Sequence, residues 1–212
     1  MQERTLIRAI VFLTTVAWVG VVVARGSKLD ISLLSSFGVV ATIVVALMAL
    51  FDRFLWRLPV IHRAFSRTHP LVRGTWPGQA ISSRRDKPYD GYLVIDQTLS
   101  RVSVRLLTET GWSETLASRW GRSDDGNPAI FYIWRRYPGL AGSGPDADEG
   151  KLGFIPYGAG VLEICGDSPY VLKGPYWTSE QQMGQMQFEG RDPGLCKSFA
   201  DAEVLFAGRS IG

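Results

Sequence analysis

Residues 31–51 read ISLLSSFGVVATIVVALMALF, 21 consecutive residues without a charge. As a helix this stretch is about 31 Å long, against a bilayer hydrocarbon core of about 30 Å. A second uncharged run, AIVFLTTVAWVGVVVA, occupies residues 9–24. Arg8 extends it, because a long basic side chain can reach back to the headgroups. Only Arg25–Asp30 separates the two runs, too few residues for a domain. The pattern therefore predicts a transmembrane helical hairpin. A cleaved signal peptide is the alternative for the first run, with Arg4 and Arg8 as its basic region and Val22-Val23-Ala24 as its cleavage site. The second run argues against it, since cleavage would leave a stub of a few residues outside. Arg53, Arg57, Arg63 and Arg67 follow the second run and Arg4 and Arg8 precede the first, whereas the loop holds only Arg25 and Lys28. The excess of basic flanks predicts both termini in the cytoplasm.

The charge divides between the two halves. Residues 1–69 carry eight Lys/Arg against three Asp/Glu, and residues 70–212 carry fifteen against seventeen. The sequence pI of about 9.0 is therefore a property of the membrane flanks. A slightly acidic soluble half argues against nonspecific binding of DNA or RNA, which needs a cationic surface. It leaves room for a small anion held by a few arginines. The only two histidines, His62 and His69, lie between membrane and domain, which disfavours Ser-His-Asp or Cys-His catalysis and histidine-based zinc sites in the domain. No cofactor motif is present. Cys165 and Cys196 have no metal-like spacing and read as reduced, buried thiols rather than a disulfide.

Asp52–His69 mixes arginines with Phe54, Trp56 and Phe65, the pattern of an interfacial flank, and Pro59 ends or bends the helix. The expected organisation is a membrane hairpin with its flank over 1–58, a linker over 59–70 and a soluble domain over 71–212. In that domain the pattern changes to short, β-rich segments: Val72–Ala80, Tyr92–Gln97, Arg101–Thr108, Ser113–Trp120, Ala129–Tyr137, Gly160–Cys165, Tyr170–Ser179 and Gly184–Gly190. Clusters of Asp, Gly, Asn and Pro separate them. Eight short strands with mostly short connections predict an all-β domain, an eight-stranded antiparallel barrel. Ser198–Ala207 followed by Gly208 predicts a short C-terminal helix, N-capped by Ser198, that plugs one barrel end. Along the third strand Val102, Val104 and Leu106 oppose Ser103 and Arg105. On the fourth, Leu116 and Trp120 oppose Thr115, Ala117 and Arg119, and on the last Met186 and Phe188 oppose Gln185, Gln187 and Glu189. The polar faces are either solvated or turned into a partly polar interior, since a barrel of this size holds one small ligand.

Gly74-Thr75-Trp76 on the first strand is similar to the Gly-x-Trp of lipocalin-like barrels, where the Trp closes one end against an Arg from a late strand. Taken with the tandem apolar runs, Ile81-Ser82-Ser83 and Lys173-Gly174-Pro175-Tyr176-Trp177-Thr178, the chain resembles the two-transmembrane, β-strand-rich effectors of bacterial CBASS antiphage systems. The resemblance covers essentially the whole chain and rests on architecture. It implies a non-enzymatic inner-membrane protein whose cytoplasmic barrel binds a cyclic dinucleotide, self-associates and disrupts the membrane, killing the infected cell. A membrane-tethered, lipocalin-like carrier of an apolar ligand is the alternative, and a membrane-anchored hydrolase is disfavoured by the missing histidines.

No short signature transfers ligand residues, so the candidates follow from chemistry. Bases need aromatic faces, and phosphates need Arg, hydroxyl and backbone donors. Trp76, Tyr132, Tyr157, Tyr176 and Trp177 are the aromatic candidates. Arg105, Arg119 and Arg191, with Ser83 and Thr178, are the polar ones. In the membrane runs Gly38, Thr42 and Ala46 form a small-residue stripe, and Gly20 and Ala24 form another. Such stripes pack helices closely, within the hairpin or between chains.

Overall fold

Alternating apolar residues between turn clusters have one way to bury a single face, which is to pair in sequence and curl. The computed structural model shows that outcome. It describes residues 11–12, 14–20, 22–23, 32–65, 69–83, 87–138, 156–167 and 170–208. Eight strands follow one another: β1 (Gly74–Ser82), β2 (Tyr89–Gln97), β3 (Val102–Thr108), β4 (Gly111–Arg122), β5 (Pro128–Pro138), β6 (Tyr157–Cys165), β7 (Val171–Thr178) and β8 (Met183–Phe188). Each pairs antiparallel with the next, and β8 returns to β1 with Phe188 opposite Gly78 and Gly184 opposite Ser82, closing the barrel. Closure removes every sheet edge.

The chain divides into two compact units, residues 1–62 with 98–100, and the remainder. In the first unit, helix α1 (Ser32–Arg53) is followed by a 3₁₀ turn over Leu55–Arg57. Gly38–Arg57, with mean hydropathy 2.0, is the one segment among the described residues long and apolar enough to cross a membrane. The described residues between 11 and 23 are helical, but most of the flanks and the connecting loop of the expected hairpin lie outside the described residues. Gly38, Thr42 and Ala46 are exposed along α1, and the Thr42 hydroxyl donates to the Gly38 carbonyl at 2.9 Å. Gly20 is also exposed, and Ala24 lies outside the described residues. A short helix α2 (Pro59–Phe65) begins at the proline expected to end the apolar segment.

Inside the barrel, Trp76, Leu93, Ile95, Val104, Ile130, Leu162, Leu172 and Phe188 form a core with almost no exposure. The C-terminal helix α3 (Phe199–Ala207) does not plug an end. It lies on the outer wall, where Phe199 and Leu205 join Val94, Leu107, Cys196 and Ala202 in a second apolar cluster. Tyr92 of β2 stacks on Phe206 at 5.7 Å. Outward-facing Val94 and Leu107 need this cover, which is why the helix sits on the side. Its N-terminus forms a capping box, Ser198 with Asp201, both bonds at 3.1 Å. Gly208 caps the other end with right-handed geometry at φ −71°. Both cysteines are free thiols, Cys196 buried and Cys165 half-buried.

One barrel end is sealed by the entering chain. Gln97, fully buried, accepts from the Val72 amide and donates to the Pro70 carbonyl, both at 3.0 Å. The Trp76 indole donates to the Val72 carbonyl at 2.9 Å. Past β8 the chain doubles back over β1, bridging Asp192 to Thr75. This brings the Arg191 guanidinium over the Trp76 ring, 6.0 Å from its centroid, and onto the Leu71 carbonyl. Trp76 and Arg191, both expected among the ligand residues, are instead held together in the closure of this end.

His69 packs edge-on to Trp120 at this end, ring centroids 5.5 Å apart. Burial lowers its pKa from the ordinary 6.5. The unfolded chain therefore takes up a proton near pH 6.5 that the folded barrel resists. The stability of this contact is complete above pH 6.5 and declines as pH falls through 6.5 toward the folded value. Urea titrations of the protein at pH 7.5 and 5.5 are expected to show lower stability at 5.5, with His69→Gln reducing the difference. An unchanged pH dependence in the variant would remove His69 as its source.

Candidate functional site

Among the described residues, nothing closes the other end of the barrel. A cavity of about 430 Å³ enters the lumen there, within the roughly 300–1,000 Å³ usual for small-molecule sites. Tyr132, Met186, Ala80 and Leu106 line its deep part, Tyr89, Tyr176, Trp134 and Ser113 its walls. Arg136, Thr110, Trp112, Thr178, Glu180 and Gln182 stand around its rim.

Empty space persists because three aromatic rings lie flat against the wall. Tyr132 is in register with Gly160 of β6, Trp134 with Gly158, and Tyr176 with Gly184 of β8. A Cβ at Gly160 would stand 2.9 Å from the Tyr132 ring, one at Gly158 2.5 Å from Trp134, and one at Gly184 2.5 Å from Tyr176. Each glycine thus leaves a berth for the ring opposite, a cross-strand pairing that also shields the glycine backbone.

The lining is polar through hydroxyls. β3 and β4 pair by backbone only at their hairpin, Leu107 with Trp112 and Thr108 with Gly111. Farther down, inward side chains of β4 take over. Ser113 Oγ accepts from the Leu106 amide at 3.0 Å, and Thr115 Oγ1 accepts from the Val104 amide at 2.9 Å while donating to the Val104 carbonyl at 2.6 Å. The Ser118 hydroxyl donates to the Val102 carbonyl. At the β7–β8 turn, Gln181 adopts φ 60°, and Thr178 Oγ1 accepts from the Glu180 and Gln182 amides at 3.3 Å. This turn holds Glu180 and Gln182 over the rim, where Gln182 Nε2 donates to Glu180 at 3.1 Å. Across the mouth the Arg136 guanidinium donates to Thr110 Oγ1 at 2.7 Å.

In the deep part the groups are phenols. The Tyr89 and Tyr176 hydroxyls lie 3.4 Å apart, and the Tyr132 hydroxyl donates to the Met186 thioether at 3.6 Å. Burial, and next the adjoining phenols of Tyr89 and Tyr176, hold the Tyr132 pKa far above the ordinary phenol value of 10.0. Tyr132 is therefore neutral, a hydrogen-bond donor rather than an anion.

Of the ten residues expected to touch ligand, Tyr132, Tyr176 and Thr178 line the cavity. Trp76 and Arg191 belong to the sealed end. Ser83 sits outside the lining, accepting from the Met183 amide at 3.2 Å. Tyr157 and Trp177 face outward, 55% and 47% exposed. The expected inward placement of Arg105 and Arg119 is corrected. On β3, Val104 and Leu106 take the interior, which turns Arg105 out to the Cys196 carbonyl at 3.4 Å. On β4, a bulge between Thr115 and Ala117 puts Leu116 and Arg119 outside and leaves Thr115, Ser118 and Trp120 inside. Sequence reasoning missed Tyr89, Trp112, Trp134, Arg136, Glu180 and Gln182. Parity from Tyr132 marks Trp134 and Arg136 as sharing its face, the signal that could have found them. Among the described residues no cluster of three His, Cys, Asp or Glu is placed to hold a metal.

No family model and no curated protein matches the chain. Among solved structures it is similar to a redesigned β-barrel, at 14% identity and a TM-score of 0.32, over 59% of this chain and 96% of that one. A likeness this distant carries no functional argument.

Proposed function

We propose that this protein is a membrane-bound effector of bacterial antiphage defence, whose barrel takes a cyclic dinucleotide at its open end. The observation that supports this is the cavity itself, with flat aromatic walls, hydroxyl donors and the Arg136 guanidinium at the rim. Bases stack on aromatic faces at roughly 1–3 kcal/mol each, and phosphate favours a few directed donors over a broad positive surface. In this reading the two apolar runs form a hairpin in the inner membrane, with both termini and the barrel in the cytoplasm. Ligand drives homo-oligomerisation, the small-residue stripes bring helices of neighbouring chains together, and the membrane fails. The reading needs no cofactor and no enzymatic step.

A second reading has a specific observation in its favour. The Trp76–Arg191 closure is the device seen in lipocalin-like carriers of apolar ligands, and the deep core is apolar. Thermal unfolding of the full chain in detergent separates the two. A cyclic dinucleotide at a hundredfold excess over its Kd is expected to add about 2.7 kcal/mol of stability. Dye-loaded inverted inner-membrane vesicles, which expose the cytoplasmic face, should leak on adding it, and right-side-out vesicles should not. Stabilisation by a fatty acid, with none by any cyclic dinucleotide, would replace the effector reading with the carrier.

A further inference from the structure

The charge in the cavity is distributed by depth. Among the described residues that line it, Arg136 and Glu180 are the charged ones, and both are at the rim. Below them the polar groups are neutral: Ser113, Tyr89, Tyr176 and Tyr132. A phosphate pushed to the deep part would lose its hydration with no basic side chain of the described lining beside it to compensate. An uncharged ring with an exocyclic carbonyl or a ring nitrogen has the opposite preference. It would meet the Tyr132 hydroxyl, whose acceptor is the Met186 thioether, a weak one that a ring carbonyl or nitrogen outcompetes. The rim is also divided laterally. Glu180 stands on the β7–β8 turn and repels an anion, while Arg136 on β5 attracts one.

We infer that the cavity binds its ligand in one polarity, with a single uncharged, hydrogen-bonding ring inserted against Tyr89, Tyr132 and Tyr176 and the anionic group held at the rim by Arg136. This inference rests on the cyclic-dinucleotide reading of the site and specifies it. Only one of the two bases is read by the phenols, and the phosphates contribute affinity without base selectivity. Recognition of the ligand is thus asymmetric, even where its two halves are chemically identical.

The test is calorimetric titration of the full chain in detergent with cyclic di-UMP, cyclic di-AMP and cyclic di-GMP, and with the three parent nucleosides. Tyr132→Phe keeps the ring over Gly160 and removes one donor, so it is expected to weaken the preferred cyclic dinucleotide about tenfold and the less favoured ones much less. The ratio between best and worst ligand should contract. Arg136→Gln is expected to weaken all three cyclic dinucleotides by a common factor of about ten to a hundred, since the lost bond is charge-assisted, and to leave nucleoside affinity unchanged. Unaltered melting temperatures without ligand establish that both variants are folded, and Tyr176→Phe repeats the measurement should Tyr132→Phe melt early. Equal weakening of every ligand by the Tyr variants would overturn the polarity, as would selective weakening of one base by Arg136→Gln. Both outcomes leave cyclic-dinucleotide binding itself intact. Failure of all three cyclic dinucleotides to bind the unmodified protein overturns the functional reading, and this inference with it.

Discussion

Trp76→Ala is expected to cost the barrel about 3–5 kcal/mol, the usual range for deleting a buried tryptophan, and to lower its melting temperature by roughly 10–20 °C. The side chain is 1% exposed at the sealed end. Its removal empties the layer between Val72 and Phe188 and takes the support from under Arg191. Trp76→Phe fills most of the volume but strips the Val72 carbonyl of its donor, for about 1–3 kcal/mol. Ligand affinity at the open end should be preserved in the phenylalanine variant, because the cavity lining does not include position 76. A melting temperature within 3 °C or so of the parent for Trp76→Ala would mean that the closure is ornamental and the layer collapses cheaply.

The second large effect is expected at Thr115. Its hydroxyl alone answers both the amide and the carbonyl of Val104, where β3 and β4 have parted. Thr115→Val has the same shape and answers neither. Each stranded buried backbone group costs about 1–3 kcal/mol, so a loss of about 3 kcal/mol is expected in urea titrations. Thr115→Ser retains the hydroxyl and should recover most of it. Hydrogen exchange gives a local check: the Val104 amide should lose protection in Thr115→Val and keep it in Thr115→Ser. Full stability in the valine variant would show that the strands re-pair by backbone once the hydroxyl is gone.

The strands were legible because local chemistry and global fold agree. Asp-Gly-Asn-Pro (125–128) and Gly-Asp-Ser-Pro (166–169) leave no doubt where strands stop, and the run of Val102, Val104 and Leu106 defines an inward face. Eight such segments were recognised, with ends shifted by up to three residues. The sealed end was legible only in part: Gly74-Thr75-Trp76 hints at a closure, but Trp76 and Arg191 themselves read as ligand residues, because Arg191 lies beyond β8 and only the doubled-back chain brings it to the indole. The open end was not, for two physical reasons. A bulge adds one residue to β4 and reverses the parity on which side-chain direction depends, so Leu116 points outward. The interior polarity, moreover, comes from Ser, Thr and Tyr. These residues read as strand formers, whereas the arginines that announce polarity are the ones the barrel turns outward. The fate of α3 was hidden for a related reason. Leu107 shares the face of Ser103 and Arg105, and only closure brings it beside Val94 in an outer apolar patch that needs a cover.

Glycines 158, 160 and 184 carry a consequence for how such a barrel changes its taste in ligands. They contribute no side chain to the lumen, yet they decide how far three rings stand from the wall. Substituting alanine at Gly160 would meet the far edge of the Tyr132 ring and tip the phenol toward the axis, narrowing the lumen while every lining residue keeps its identity. At Gly158 and Gly184 the same change also runs into a neighbouring backbone carbonyl, so those two berths are rigid and Gly160 is the adjustable one. The dimensions of the chamber are thus written in a hidden outer layer, and a lineage could retune what it accepts without altering one atom that a ligand touches.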